Sequence, residues 1–464
     1  MAKSKESFLR HISELISQNK SLMSENEKLA SQNEQLTQEV EKYKHMLAQA
    51  KNEKLQGLIS VPKTTNIIKY KTATVLFADT QGFNDISADM DSQALVDNLD
   101  EIFLQLETII DKYEIKSIKS IGDTIMCVGG IPKKNITNPL EVILAAVEMQ
   151  YYIKQLQKSY NEEKIWRLKI GVHTGPVVAT ETGRKKVNYE IKGDTVNLAA
   201  RIKSFCEDGQ ILVSGNTYEL VKDLFNCEYF GKMPVKYKGD IEMYTVRGIK
   251  QEFSLQNKGL IPNKKFSIRF GLIQFMDLQE LVLDKLEKEL SGSLYYHNVK
   301  HTVDVVTQSE LIGLGEGVPD AELLLLKTAA LFHDTGHTVN YDEHEYNSTL
   351  IAREVLPNYY YTQSQIETIC ELIMATKLPP EPKNKLEEII CDADLDYLGR
   401  SDMIPVSNTL YRELKDQNKV GTLNDWNKMQ MKFISNHQYF TNTARKLREV
   451  NKQKQIERIK NLIV

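Results

Sequence analysis

Hydrophobic and polar positions follow three different rhythms along this chain. Over residues 1–56, Leu15, Leu22, Leu29, Leu36 and then Tyr43 fall seven apart, each preceded three residues earlier by Ile12, Asn19, Asn26, Asn33 and Val40. That heptad, with Leu at d and asparagine at three successive a positions, predicts a parallel two-stranded coiled coil. Its buried asparagines would fix register and cost stability. Gln56-Gly57 and Val61-Pro62 end the pattern. Residues 66–250 alternate strand and helix signals. The unbroken apolar run 73–78 reads as a buried strand ending at Asp79, followed by a helix over 92–113. Residues 114–131 read as a β-hairpin turning at Gly122-Asp123. A helix over 139–160, a strand over 168–172, a helix opened at Asp194 and strands over 210–214 and 235–247 complete a mixed α+β sheet. The polar, broken stretch 251–265 reads as a linker. Beyond it, 266–464 is helical throughout: 275–290, 295–311, 320–332, 344–355, 363–376 and 385–398, with a basic amphipathic packing helix over 446–463.

Composition narrows this picture only slightly. A chain of 464 residues exceeds one ordinary core, so several domains are expected. A formal net charge of -4 gives no case for a nucleic-acid partner. Cys127, Cys206, Cys227, Cys370 and Cys391 form no CxxC pair and suggest a reducing compartment. The leucine run 323–326 meets Lys327 at once, far short of the roughly 18–20 apolar residues of a membrane span. The expectation is a cytoplasmic protein.

The residues with chemistry gather in two places. The hairpin carries Lys119 before its turn and Asp123 in it, and Asn197 and Arg201 sit four apart on one helix face. Further on, five of the nine histidines fall between His297 and His344. His297 and His301 are four apart in YYHNVKH, on one face of the helix expected to begin there. His333-Asp334 closes an apolar helical stretch, His337 and His344 follow, and Asp392 and Asp394 lie in CDADLDYLG. Imidazoles and carboxylates gathered from separate helices suit a divalent metal.

In order, FADTQGF, KSIGDTIM, IGVHTGPVV, YEIKGDTVNLAARI and YKGDIEMYTV resemble the motifs of class III nucleotidyl cyclases, over essentially all of residues 70–250. The resemblance implies a ferredoxin-like α+β fold and cyclisation of a nucleoside triphosphate by its ribose 3′-oxygen, with loss of pyrophosphate. Asp79 and Asp123 match the family's ligands for two Mg²⁺ or Mn²⁺ ions. Lys119 matches the lysine that reads adenine, and Glu190 falls where adenylyl cyclases usually carry Asp or Thr and guanylyl cyclases Cys. Asn197 and Arg201 match the groups that orient the ribose and stabilise developing charge. Lys238 matches the triphosphate lysine, with Lys236 as its alternative. The family shares each site across a homodimer, which the coiled coil would hold in register. Thr80, Asn84 and Thr180 depart from the family pattern without removing a catalytic group.

The pattern H…HD…D over roughly 290–400 resembles the HD superfamily of metal-dependent phosphohydrolases. Its metal ligands match His301, His333, Asp334 and Asp394, while His337 and His344 could serve a second metal. YHNVKH and HDTGH also look like cyclic-nucleotide phosphodiesterases, in which the first histidine, here His297, protonates the leaving 3′-oxygen. Thr338-Val339 replaces the usual Pro-Gly, and no glutamine stands out in the sequence as a purine clamp. Together the resemblances imply a homodimer making cyclic AMP from ATP, with an HD domain hydrolysing a phosphoester. The alternatives are a cyclase for GTP or a pyrimidine triphosphate, and an HD domain that senses a ligand without turnover.

Overall fold

The structure, a computed structural model, describes residues 66–81, 92–121, 124–159, 166–182, 188–235 and 239–464. The expected coiled coil over 1–56 lies outside the described residues, as do Asp123, Lys236 and Lys238; of Lys119 only the backbone is described.

An eight-stranded sheet organises the first half. In chain order its strands are β1 (Ile67–Gln81), β2 (Lys116–Ile121), β3 (Thr124–Gly129), β4 (Arg167–Thr182), β5 (Asn188–Lys192), β6 (Ile211–Ser214), β7 (Phe225–Val235) and β8 (Gly239–Ile249). The spatial order is β2-β3-β1-β4-β6-β8-β7, with β5 paired to β4. Neighbours run antiparallel except β4 and β6. The apolar run on β1 is unbroken because both faces are covered. Leu76 and Ala78 pack with helices α1 (Ser92–Lys112) and α2 (Asn138–Ser159). Ala73 and Val75 point the other way, toward Ala199 of α3 (Asp194–Phe205). α4 (Gly215–Val221) is capped by Ser214, whose hydroxyl accepts from Thr217 N.

The hairpin forms as its pattern indicates: β2 and β3 pair antiparallel, with Ile121 opposite Thr124 across the turn. β7 carries little apolar periodicity and was not expected as a strand. It is held by its ladder to β8, including register shifts at Cys227 and Gly231.

Residues 251–265 are more ordered than a polar linker would be. They make two 3₁₀ turns, Gln251–Phe253 and Leu255–Asn257, and fold back through Ile249 N to Gly259 O at 2.8 Å and Leu255 N to Ile261 O at 2.8 Å. Asn263 then caps α5 (Lys264–Glu289), accepting from Lys265 N and Phe266 N. This helix begins well before the expected residue 275. Its early residue Phe266 is buried in the core beneath the sheet and meets Phe225 edge-on, with ring centroids 6.0 Å apart. Phe275, Leu278, Val282 and Leu286, further along the same helix, belong to the helical core. One helix therefore enters both cores.

The helical half continues with α6 (Val299–Gly315), α7 (Asp320–Phe332), α8 (His344–Val355), α9 (Gln363–Ala375), α10 (Lys385–Asp394), α11 (Met403–Asp416), α12 (Leu423–Asn436) and α13 (Val450–Lys460). α7 is apolar nearly all round, as a central helix should be. Among the described residues, no helix is long and apolar enough to cross a membrane.

Candidate functional sites

On the sheet, Asp79 stands near the end of β1, on the face that α3 covers. Its Oδ1 accepts from Thr124 Oγ1 at 2.8 Å and its Oδ2 from Lys203 Nζ at 2.8 Å, both partners half-buried or less exposed. Thr124, the first residue of β3, is also the register partner of Asp79 across β1 and β3. α3 lies close against β4 because Gly171 has no side chain. A Cβ there would come within 2.2 Å of Lys203 N. Arg201 is two residues from Lys203, about 200° round the helix, and Asn197 shares its face. Both are exposed, on a helix face turned from that of Lys203. Glu190 on β5 is also exposed and pairs with Lys192 at 3.0 Å. The protomer thus does not bring Asp79 together with Asn197 and Arg201. Lys203 escaped the sequence reading, and nothing but its place on the inner face of α3 marks it.

In the helical half, the histidines and aspartates converge. Asn298 caps α6 by accepting from Lys300 N and His301 N, which places His301 in the first turn. His297 is therefore not on that helix, as expected from its spacing, but precedes the cap. His333 ends α7 and Asp334 follows it. The 3₁₀ turn Thr335–Thr338 brings in His337, and α10 ends at Asp394. The turn packs tightly: a Cβ at Gly336 would sit 1.9 Å from His344 O, so only glycine fits.

His301 Nε2 lies 3.3 Å from Asp334 Oδ2 and 3.1 Å from Asp394 Oδ1. His333 Nε2 lies 3.1 Å from Asp334 Oδ2 and 3.6 Å from Asp394 Oδ1. Asp334 Oδ1 faces His344 Nε2 at 3.5 Å and His337 Nε2 at 3.9 Å. His333 Nδ1 lies 2.8 Å from the carbonyl of Ala330, which can only accept, so Nδ1 carries the proton and Nε2 is left as a donor atom for a metal. Burial pushes the His301 and His333 imidazoles toward neutrality, but the two aspartates outweigh it and raise both. Burial likewise works against the Asp334 and Asp394 carboxylates, and the histidines nevertheless hold both low. Burial lowers His337 to about 3, so it is neutral.

Ligand atoms gather in two groups, within each of which they lie within 4.8 Å of one another: His301, His333 and Asp394, and His297, Asp334 and His337. Both nitrogens of His337 are fully buried yet make no hydrogen bond. Buried polar atoms of that kind call for a partner, and this donor set of nitrogen and carboxylate oxygen fits a divalent cation.

Glu413, on α11 and fully buried, was missed by the sequence reading because it lies far along the chain from the histidines. It accepts from Tyr296 N at 2.9 Å and His297 N at 3.1 Å and bonds to His297 Nδ1. Burial opposes its charge, but His297 keeps the carboxylate below its usual range. A cavity of about 490 Å³ opens beside the cluster. Its far wall is apolar, with Leu410, Trp426 and Phe433, and Gln430 among them. Gln430 Oε1 is buried without a hydrogen bond. Nothing in the sequence around Gln430 points to this cavity.

Residues 66–248 match the family model for the adenylate and guanylate cyclase catalytic domain, and residues 298–396 that for the HD domain. The chain joins a class III nucleotidyl cyclase domain to an HD domain. The cyclase domain is similar to an adenylate cyclase of Mycobacterium tuberculosis, 34% identical over 187 residues, covering 40% of this chain and 42% of that protein. It is similar also to a receptor-type guanylate cyclase of Drosophila melanogaster, 32% identical over 218 residues, 46% of this chain and 14% of that one. The chain therefore spans less than half the length of these relatives. Among solved structures, the adenylyl cyclase CyaB from P. aeruginosa is 28% identical, with 39% of this chain and 95% of that chain covered and a TM-score of 0.36.

Proposed function

We propose that the chain acts as a homodimer that converts ATP to 3′,5′-cyclic AMP and pyrophosphate, and that its HD domain hydrolyses a cyclic-nucleotide phosphodiester. The observation that carries the first part is the geometry of α3: Lys203 faces Asp79 on one side while Asn197 and Arg201 face outward on the other. A protomer built this way offers its aspartates to one site and its Asn197 and Arg201 to another, so a second copy must complete each. In this reading Lys119 and Glu190 hold the base, Lys238 the triphosphate, Asn197 the ribose, and Arg201 the charge that develops as the 3′-oxygen attacks the α-phosphorus. Two Mg²⁺ or Mn²⁺ ions held by Asp79 and Asp123 would supply charge neutralisation. ATP is favoured over GTP by Lys119; Glu190 accepts from an exocyclic amine as the usual Asp does.

For the HD domain, His301, His333, Asp334 and Asp394 would hold one divalent metal ion and His337 and His344, with Asp334, a second, supplying Lewis acidity toward the phosphodiester. In this reading His297, held by Glu413, gives its proton to the leaving oxygen. The cavity supports a substrate that carries a base. Its polar end lies at the cluster, its apolar wall suits a flat ring, and the open Oε1 of Gln430 suits an exocyclic amine.

Subunit complementation tests the shared site. Asp79→Ala and Arg201→Ala chains should each be inactive as cyclases, yet regain activity when mixed, since one site of the heterodimer then keeps all its groups. Two inactive variants that stay inactive after demonstrated subunit exchange would sink the reading.

A further inference from the structure

A cavity of about 210 Å³ lies where the cyclase and HD domains meet, lined by both. From the cyclase side come Glu114, Lys133, Asn135 and Glu141; from α5 come Gln274 and Asp277, with Tyr359 and Tyr360 opposite. Three carboxylates thus face one lysine, and that lysine is already seated over the Tyr359 ring, 4.1 Å from its centroid. The cavity is also rich in acceptors. Asn135 turns its amide nitrogen to both oxygens of Glu141 at 3.0 and 2.9 Å, leaving its own Oδ1 buried with no hydrogen bond. Asp277 accepts from the Ile136 N–H, at 3.0 Å from each oxygen, and is held by the Thr137 N–H as well. Gln274 is 7% exposed, lines the cavity and makes no side-chain hydrogen bond among the described residues.

We propose that this interdomain cavity binds a small organic dication, of which a protonated aliphatic diamine is the simplest form. Two positive charges balance the excess of carboxylates over lysine, and its N–H groups supply the donors that Asn135 Oδ1 and Gln274 lack. The volume equals about seven waters at ~30 Å³ each, enough for a diamine of four to six carbons and too large for a bare ion. Among the described residues, only the two HD-domain groups converge tightly enough for a metal. Burial raises both Glu141 and Asp277, and Glu141 is raised further by Glu114 and Asp277, so the cavity disfavours its own anions until a cation enters. Tyr359 and Tyr360 offer ring faces to an ammonium. Because its walls come from both domains, an occupant would tighten their docking through α5.

Calorimetry on the full chain with 1,4-diaminobutane, and thermal unfolding in parallel, test this without recourse to catalysis. Saturable binding of one diamine per chain is expected, with a rise in melting temperature and slower hydrogen exchange over 130–141 and 264–289. Asp277→Asn and Gln274→Leu should each weaken binding about tenfold. If Asp277→Asn fails to fold, Gln274→Leu carries the test. No saturable heat, the same thermal gain from sodium chloride at matched ionic strength, or unchanged binding in the variants would each overturn the proposal.

Discussion

The close approach of α3 to β4 gives a sharp test of how the cyclase domain is put together. Replacing Gly171 by alanine adds a methyl 2.2 Å from Lys203 N, 2.5 Å from Lys203 Cα and 2.7 Å from its Cβ. Ordinary contact between such atoms is about 3.5–4.0 Å, so the helix must retreat by more than ~1 Å. The obstructing atoms are mainly backbone, and no rotamer change relieves them. Overpacking of this kind costs about 1–3 kcal/mol of stability. The functional effect should be larger, because α3 carries Asn197 and Arg201, and a displacement of ~1 Å in positioning groups costs about 100-fold in rate. Lys203 would also lose its 2.8 Å contact with Asp79. The assay is cyclic-nucleotide formation in an Asp334→Ala background, where HD turnover is blocked, with hydrolysis by Gly171→Ala alone as the internal control. A cyclase rate down about 100-fold with hydrolysis intact is expected. An unchanged cyclase rate would show that the packing of α3 does not set the site, and would refute the reasoning.

Other consequences can be measured directly. Glu413→Gln keeps an acceptor for the Tyr296 and His297 N–H groups but removes the charge opposite the His297 ring, so hydrolysis should fall about tenfold, the worth of roughly 1.4 kcal/mol, while cyclase activity holds. Phe266→Ala empties a site 3% exposed in the sheet core and should cost about 3–5 kcal/mol by urea unfolding. Glu141 and Asp277 are raised above the usual carboxylate range by burial, so each subtracts stability at neutral pH; that penalty should vanish as pH falls through their raised values toward ~4. Melting temperature followed against pH should show Asp277→Asn gaining on the unmodified chain at neutral pH and losing that advantage in acid.

Where apolar periodicity is clear, the sequence was a good guide to elements even without a side-chain cap: the helices over 320–332 and 344–355 have the bounds their patterns indicate. β1 was legible in its centre because both faces are apolar, but its ends, which alternate, extend to Ile67 and Gln81. β7 was hidden, since a sheet-edge strand with Gly231 and Pro234 owes its form to the β8 ladder rather than to its own pattern. The continuity of α5 was masked by its polar start, although Asn263 is a strong cap that local reading could have used. For the HD cluster, the sequence supplied His301, His333, Asp334 and Asp394, which the fold brings together. His297 shows the limit of spacing arguments: four residues from His301 suggested one helix face, but the Asn298 cap puts it outside the helix. Glu413 and Gln430 became visible only through contacts that join distant segments. In the cyclase site, Asp79, Glu190, Asn197 and Arg201 have described side chains, and the outward turn of Asn197 and Arg201 followed from helix geometry once Lys203 was seen to face inward.

The central claim is that one domain of this chain makes a cyclic nucleotide and the other hydrolyses it. The most direct measurement is product analysis by chromatography and mass spectrometry, with each of the four nucleoside triphosphates and Mn²⁺, for the full chain beside Asp334→Ala. The account predicts cyclic AMP from ATP, accumulating to a higher level in the variant. No cyclic product from any triphosphate in either protein would contradict the cyclase assignment, and equal accumulation in both would contradict the assignment of the cyclic nucleotide as the substrate of the HD domain.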